Sequence, residues 1–236
     1  MFDYGNMESY TNNWDWCKER SNYHFDYNKK DAEGEWFTLL GQFQGNWDEE
    51  IKQVVELSRE SAAINWETRK FYGDDDDTIS PMLKQEEQDL IDAGADPKLA
   101  LTNIFDKLEK FPTLDRIANY FQLEESKRRI HVQMTGQMFN WHIDKLWERC
   151  PEDPSRVVRI TIMLEDWLPG QFYLYGTHTY SHWKRGEAHL FDWPNVPHAT
   201  ANASNTPRPT LQITGLKTAA TEEILKSAGR SAIYKV

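Results

Sequence analysis

The spacing of apolar positions changes once along the chain, close to residue 125. Before that point it follows a helical period. Trp47, Ile51, Val54 and Val55 share one helical face. They predict a helix over about 46–59, opened by a capping box in which Asn46 is followed by Glu49 three positions on. Ser80 as N-cap and Pro81 in the first turn open a second helix, which Gly94 closes. Asp96-Pro97 opens a third, running to about Lys110 on Leu99, Leu101, Ile104, Phe105 and Leu108. Pro112 interrupts, and a short helix from Thr113 carries Leu114, Ile117, Tyr120 and Phe121. After Glu125 the period falls to two. Ile130, Val132 and Met134 alternate with Arg129, His131 and Gln133. Val158, Ile160, Ile162 and Leu164 alternate with Arg159, Thr161 and Met163. Further short strands are expected over 139–144, 171–175, 180–183, 188–192, 196–202 and 210–216, separated by Gly and Pro. About eight such strands predict a β-sandwich or barrel. A last helix follows Thr221 and ends near Gly229.

Residues 1–36 show no period but carry Trp14, Trp16, Tyr23, Phe25 and Tyr27. So many rings predict an arm laid on a core in preference to disorder. The length of 236 residues fits one domain. Its expected parts are an aromatic arm and helical support over 1–126, a β core over 127–217, and a C-terminal helix and tail over 218–236. The formal charge of −11 argues against a general nucleic-acid binder, which needs a basic face. Cys17 and Cys150 are the only cysteines, so no disulfide framework is expected and a reduced, cytoplasmic setting is the simple reading. The N-terminus has neither a basic nor an apolar signal region, and no apolar run is long enough for a membrane span. The acidic run Asp74, Asp75, Asp76 and Asp77 lacks the spacing of a calcium loop and reads as a solvated loop.

Candidate chemistry centres on His142 and Asp144. Two residues apart on a strand, they project from one face, and imidazole plus carboxylate begins a site for a divalent first-row metal. An H-x-D pair alone is weak in a chain with seven histidines. His198 is the best third ligand, and Arg208 follows it by ten positions, with Thr210 two residues beyond. His178 and His182, four apart, compete as a zinc pair, and His189 lies on an adjacent strand. Arg159 is a charged group on an interior-facing strand position, expensive unless paired. It is a candidate for a substrate carboxylate, with a core acid as the competing partner. Gln133, Thr161 and Tyr173 are polar groups on apolar strands and candidate pocket residues. Asn202 fits either a site-supporting or a turn role.

The order H-x-D, distant His, then Arg about ten residues on resembles the Fe(II)/2-oxoglutarate-dependent oxygenases, over residues 127–217. The segment from Gly186 to Asp192, leading to His198, Asn202 and Arg208, is similar to the aspartyl/asparaginyl β-hydroxylase-like branch, some members of which lack the carboxylate ligand. The resemblance implies a double-stranded β-helix (jelly-roll, cupin-like) core, mainly β with α, with the N-terminal helical region packed on it. It implies Fe(II) on His142, Asp144 and His198, and 2-oxoglutarate and O₂ as co-substrates. Arg208 and Thr210 would hold the far carboxylate, with Gln133, Thr161 and Tyr173 lining the pocket. The expected activity is hydroxylation of a small molecule or peptide side chain. Two alternatives share the barrel: a non-catalytic cupin-like metal-binding protein, and a cofactor-independent cupin dioxygenase, which usually uses more histidines.

Overall fold

The computed structural model describes residues 37–63, 103–105, 108–144 and 146–236, together with positions 88 and 92. The expected arm, the acidic run and most of the second and third helices lie outside the described residues. Positions 88 and 92 are helical, in keeping with a helix over 80–94.

The described chain runs β1 (Phe37–Gln44), α1 (Asp48–Ala63), β2 (Asn103–Phe105), α2 (Pro112–Asn119), β3 (Glu124–Gln133), β4 (Met138–His142), β5 (Val157–Met163), β6 (Gln171–Tyr175), β7 (His178–Tyr180), β8 (Glu187–Phe191), β9 (His198–Asn202), β10 (Arg208–Leu216), α3 (Ala219–Ser227) and β11 (Ile233–Lys235). The strands form two sheets, ordered β11-β1-β8-β5-β10-β3-β2 and β4-β9-β6-β7. From β3 to β10 the chain crosses repeatedly between the sheets. The central four strands of the large sheet, β8-β5-β10-β3, therefore face β4-β9-β6-β7. This is a double-stranded β-helix, the jelly roll of cupin-like proteins, as expected.

The period of two sorts each strand of the large sheet. Ile130, Val132, Ile160, Ile162, Leu211 and Ile213 pack outward against Trp47, just before α1, Ile51 and Val54 of α1, and Leu114 and Ile117 of α2. A second cluster, including Phe37, Met163, Tyr175, Trp183, Phe191 and Trp193, lies within the barrel. Directly paired residues share a face, so the inner surface can be read in rows. Arg208 pairs with Gln133 and Thr210 with His131. Thr210 also pairs with Met163, Gln212 with Thr161, and Thr214 with Arg159. Most of this inner surface is polar.

Several boundaries differ from the sequence reading. Residues 103–105, expected within a helix, form β2 against β3. Ile104 and Phe105 suit either period, and an open sheet edge decided. β1 and β11 were not expected as strands. β1 mixes Phe37 and Leu39 inside with Leu40 and Phe43 outside, because a register shift at Gly41 breaks the alternation. The strand expected over 180–183 is instead β7, ending at Tyr180, with His182 at a positive φ. Of the expected capping box at α1, Asn46 Oδ1 accepts from the Asp48 N–H at 3.0 Å. The C-terminal helix begins two residues before Thr221, capped by Thr218. Among the described residues no helix is long and apolar enough to cross a membrane.

One glycine is a fixed point of this packing. Gly186 has φ +84°, and a Cβ there would stand 2.0 Å from the Phe43 carbonyl oxygen. Its own N–H and C=O bond Met163 and Phe43, joining β1 to the end of β5. Gly136 has a similar φ of +85° but open space around it. Gly136→Ala should therefore cost only the backbone strain, about 1–2 kcal/mol. Gly186→Ala must also displace a strand and should cost clearly more. Urea unfolding midpoints of the two variants check this; equal losses would refute the close approach.

Candidate metal centre

β4 and β9 are neighbours, and His142 pairs directly with His198. A register shift between Phe139 and His142 turns His142 inward. The two rings lie 4.2 Å apart. β4 ends at His142, so Asp144 is held by irregular chain and not by the strand expected for it. It still reaches the histidines. Asp144 Oδ1 lies 3.9 Å from His142 Nε2, and Oδ2 lies 3.6 Å from His198 Nε2. Ligand atoms of all three fall within 4.8 Å of one another, the group of this kind found among the described residues.

The surroundings prepare the set for a cation. His198 Nδ1 donates to the Val196 carbonyl at 3.2 Å, which leaves the Nε2 lone pair facing Asp144 and His142. Burial, then the neighbouring His142, lower the His198 pKa to about 3, so the ring is neutral. Burial opposes ionisation of Asp144, but the Arg159 guanidinium in contact with it outweighs burial and holds its pKa below the ordinary value. Two imidazoles and an ionised carboxylate suit a divalent first-row metal. Arg159 donates to Asp144 Oδ2 at 2.6 Å and, through Nε, to Thr214 Oγ1 at 3.0 Å. The core acid weighed as its partner is thus Asp144 itself.

Arg208 enters the barrel on the row beyond. It is buried, at 3% exposure. Its guanidinium donates to the carbonyls of Ala201 (2.9 Å) and Phe172 (3.1 Å), and to Gln133 Oε1 and Thr200 Oγ1. The ring of Tyr173 lies beneath it at 4.4 Å. Tyr173 also donates to Thr210 Oγ1 at 3.4 Å. Gln133, Thr210 and Tyr173 therefore converge on Arg208, while Thr161 sits two rows away, opposite Gln212 and His189. Burial lowers the Arg208 pKa. Its Nε has no partner, and among the described residues no carboxylate pairs with it.

The other histidines go elsewhere. His189 bonds the Tyr175 hydroxyl at 2.7 Å. His182 bonds Ser181 and stacks on Trp167, and His178 lies against Phe37, so the pair is not a joint site. Asn202 is a turn residue: it ties β3 to the β9–β10 turn through the carbonyls of Gln133 and Thr206, both at 2.8 Å. Thr200 was missed, although a period of two from His198 points to it. His131 was also missed, and the same period from Gln133 places it inside.

A cupin-like barrel with a metal-ligand set is thus the class that fold and site define. No family model matches the chain, and no curated protein matches it. Solved structures similar to it include a Cupin 2 conserved barrel domain protein from Salinispora arenicola, at 11% identity, covering 43% of this chain and 71% of that one, with a TM-score of 0.28. A Cupin_2 domain of a transcriptional regulator from Enterobacter cloacae gives 11% identity, 40% and 84% coverage, and a TM-score of 0.30. A non-heme monooxygenase in complex with nickel gives 16%, 44% and 49%, and 0.33. At these levels the similarity carries no functional weight, and the jelly roll rests on the strand order.

Proposed function

We propose that the protein is an Fe(II)- and 2-oxoglutarate-dependent oxygenase that hydroxylates a small molecule or a peptide side chain. Arg208 carries this reading. A buried guanidinium without a carboxylate is costly unless an anion completes it. Thr200, which Arg208 bonds, lies two residues from His198 on the same face of β9, a step of about 7 Å. A five-carbon chain, with four bonds of about 1.5 Å, suits that separation. The near end of such a molecule would reach the metal set while its far carboxylate meets Arg208 and Thr210.

His142, Asp144 and His198 would hold Fe(II) on one face and leave the opposite positions open. With O₂ and 2-oxoglutarate bound, the metal would supply the oxidant for hydroxylating a C–H bond, releasing succinate and CO₂. The chain's own work is positional. The Val196 carbonyl orients His198, and Arg159 fixes Asp144. Tyr175, Phe191 and Trp193 wall the site from water. The order of Gly186, His198, Asn202 and Arg208 favours the aspartyl/asparaginyl β-hydroxylase-like branch.

The test is slow substrate-free turnover. Protein loaded anaerobically with Fe(II) and then given air should convert 2-oxoglutarate to succinate, and His198→Ala should not. A cupin-like protein that only binds metal would leave 2-oxoglutarate intact.

A further inference from the structure

Arg208 has little left to offer a ligand. A guanidinium carries five N–H groups, four of them on its terminal nitrogens. Those two nitrogens make four bonds to the barrel wall, to the carbonyls of Phe172 and Ala201, to Gln133 Oε1 and to Thr200 Oγ1. What remains is the Nε N–H, buried and without a partner. One N–H does not satisfy a carboxylate, whose two oxygens take about four hydrogen bonds. Arg208 therefore supplies the charge, and neighbouring side chains must supply the other donors.

The register of β3 and β10 brings them there. Thr210 lies two residues along β10 from Arg208, on the same face. Its oxygen accepts from Tyr173 at 3.4 Å, which leaves its own O–H to donate. His131 stands directly opposite Thr210, and the Cβ atoms of such a pair are about 5 Å apart. β3 is paired on its other side too, by Ile104 of β2, so the backbone under His131 is fixed from both edges. His131 Nε2, like Arg208 Nε, is buried without a partner. Burial, then the charges of Arg129 and Arg159, hold this imidazole at a pKa of about 3, so it is neutral. It feels Asp144 from the metal side and Arg208 from the other, between the two ends of the proposed co-substrate space. A neutral imidazole has one N–H and a carboxylate only accepts, so an anion there selects the Nε2–H tautomer.

We infer that His131 is a specificity-determining residue of this site, donating from Nε2 to the far carboxylate of 2-oxoglutarate alongside Arg208 Nε and the Thr210 hydroxyl. This rests on the oxygenase reading and names what selects a dicarboxylic acid within it. Without His131, one oxygen of that carboxylate would be buried with too few donors, a costly arrangement.

Calorimetry on Mn(II)-loaded protein tests the inference without turnover, with 2-oxoglutarate and 2-oxopentanoate as probes. The second acid keeps the five carbons and the keto-acid end but has a methyl group in place of the far carboxylate. His131→Phe keeps a ring and removes the donor. It should weaken 2-oxoglutarate by about tenfold or more, the loss of one hydrogen bond to a charged group. The parent should bind 2-oxopentanoate more weakly than 2-oxoglutarate, and His131→Phe should bind 2-oxopentanoate no more weakly than the parent does. His131→Gln, whose amide N–H still donates, should recover much of the lost affinity. Both variants should hold Mn(II) as the parent does. Equal losses for the two acids, undiminished 2-oxoglutarate affinity in His131→Phe, glutamine no better than phenylalanine, or lost Mn(II) binding in either variant would overturn the inference. A parent protein that binds Mn(II) but no 2-oxoglutarate would instead overturn the oxygenase reading on which it rests.

Discussion

Alanine at His142, Asp144 or His198 is expected to remove most of the affinity for Fe(II), or for Mn(II) as a surrogate. Groups that merely orient a ligand are worth roughly 10–100-fold in metal affinity. Direct ligands in a set of three should exceed that range. The three variants should differ in stability. His198→Ala leaves a cavity beside Tyr175 and Phe191, whose rings lie 6.2 and 4.6 Å from it. Asp144→Ala strands the Arg159 guanidinium, now without its carboxylate, at 14% side-chain exposure. That variant should lose stability beyond the loss of metal, because breaking a buried pair costs several kcal/mol, roughly 3–5. Asp144→Glu keeps the charge and should retain more metal than Ala, yet little turnover, since the longer arm displaces the oxygen. Metal content by calorimetry, with thermal midpoints alongside, reads both effects. Parent-like metal binding in all three alanine variants would show that the set is not a metal site.

Arg208→Ala should spare metal binding and strongly weaken the response to 2-oxoglutarate. A charge-assisted hydrogen bond is worth about 1.5–3 kcal/mol, so affinity should fall about 10- to 150-fold. Two opposing effects act on the unliganded fold. The substitution relieves an uncompensated buried charge, but it also strips partners from Gln133, Thr200 and two carbonyls. Ligand-induced stabilisation separates these from binding. At a hundredfold excess over the parent's Kd, 2-oxoglutarate should stabilise the parent by about 2.7 kcal/mol and the variant by only about 0.3–1.4 kcal/mol. Arg208→Lys should recover only part, because a point charge cannot reproduce the fork that spans Ala201, Phe172, Gln133 and Thr200. An undiminished 2-oxoglutarate shift in Arg208→Ala would sink the co-substrate assignment.

Much of this was legible in the chain. The alternation in β3, β5 and β10 separates an outer apolar face from an inner polar one, and His142 and His198 fall on β4 and β9 as expected, with Asp144 just beyond the end of β4. Arg208 needed only its spacing. What was hidden depends on distant partners. β11 is three residues long and becomes a strand only because β1 offers an edge. The bulge at Gly41 disguised β1 as irregular. The Arg159–Asp144 pair joins residues fifteen apart from different parts of the barrel, and one sequence names the arginine without naming its acid. The route of the His198 ring hydrogen bond to Val196 is set by backbone shape, which leaves no trace in residue type.

The division of each strand into two faces has an evolutionary consequence. Ile160 and Ile162 belong to the packing under the helices, whereas Arg159 and Thr161, alternating with them in sequence, face the barrel interior. Adjacent codons thus answer to different selection. The inner set can drift toward new substrates while its neighbours keep the barrel folded, so descendants of one such chain can diverge in chemistry without first passing through an unfolded intermediate sequence.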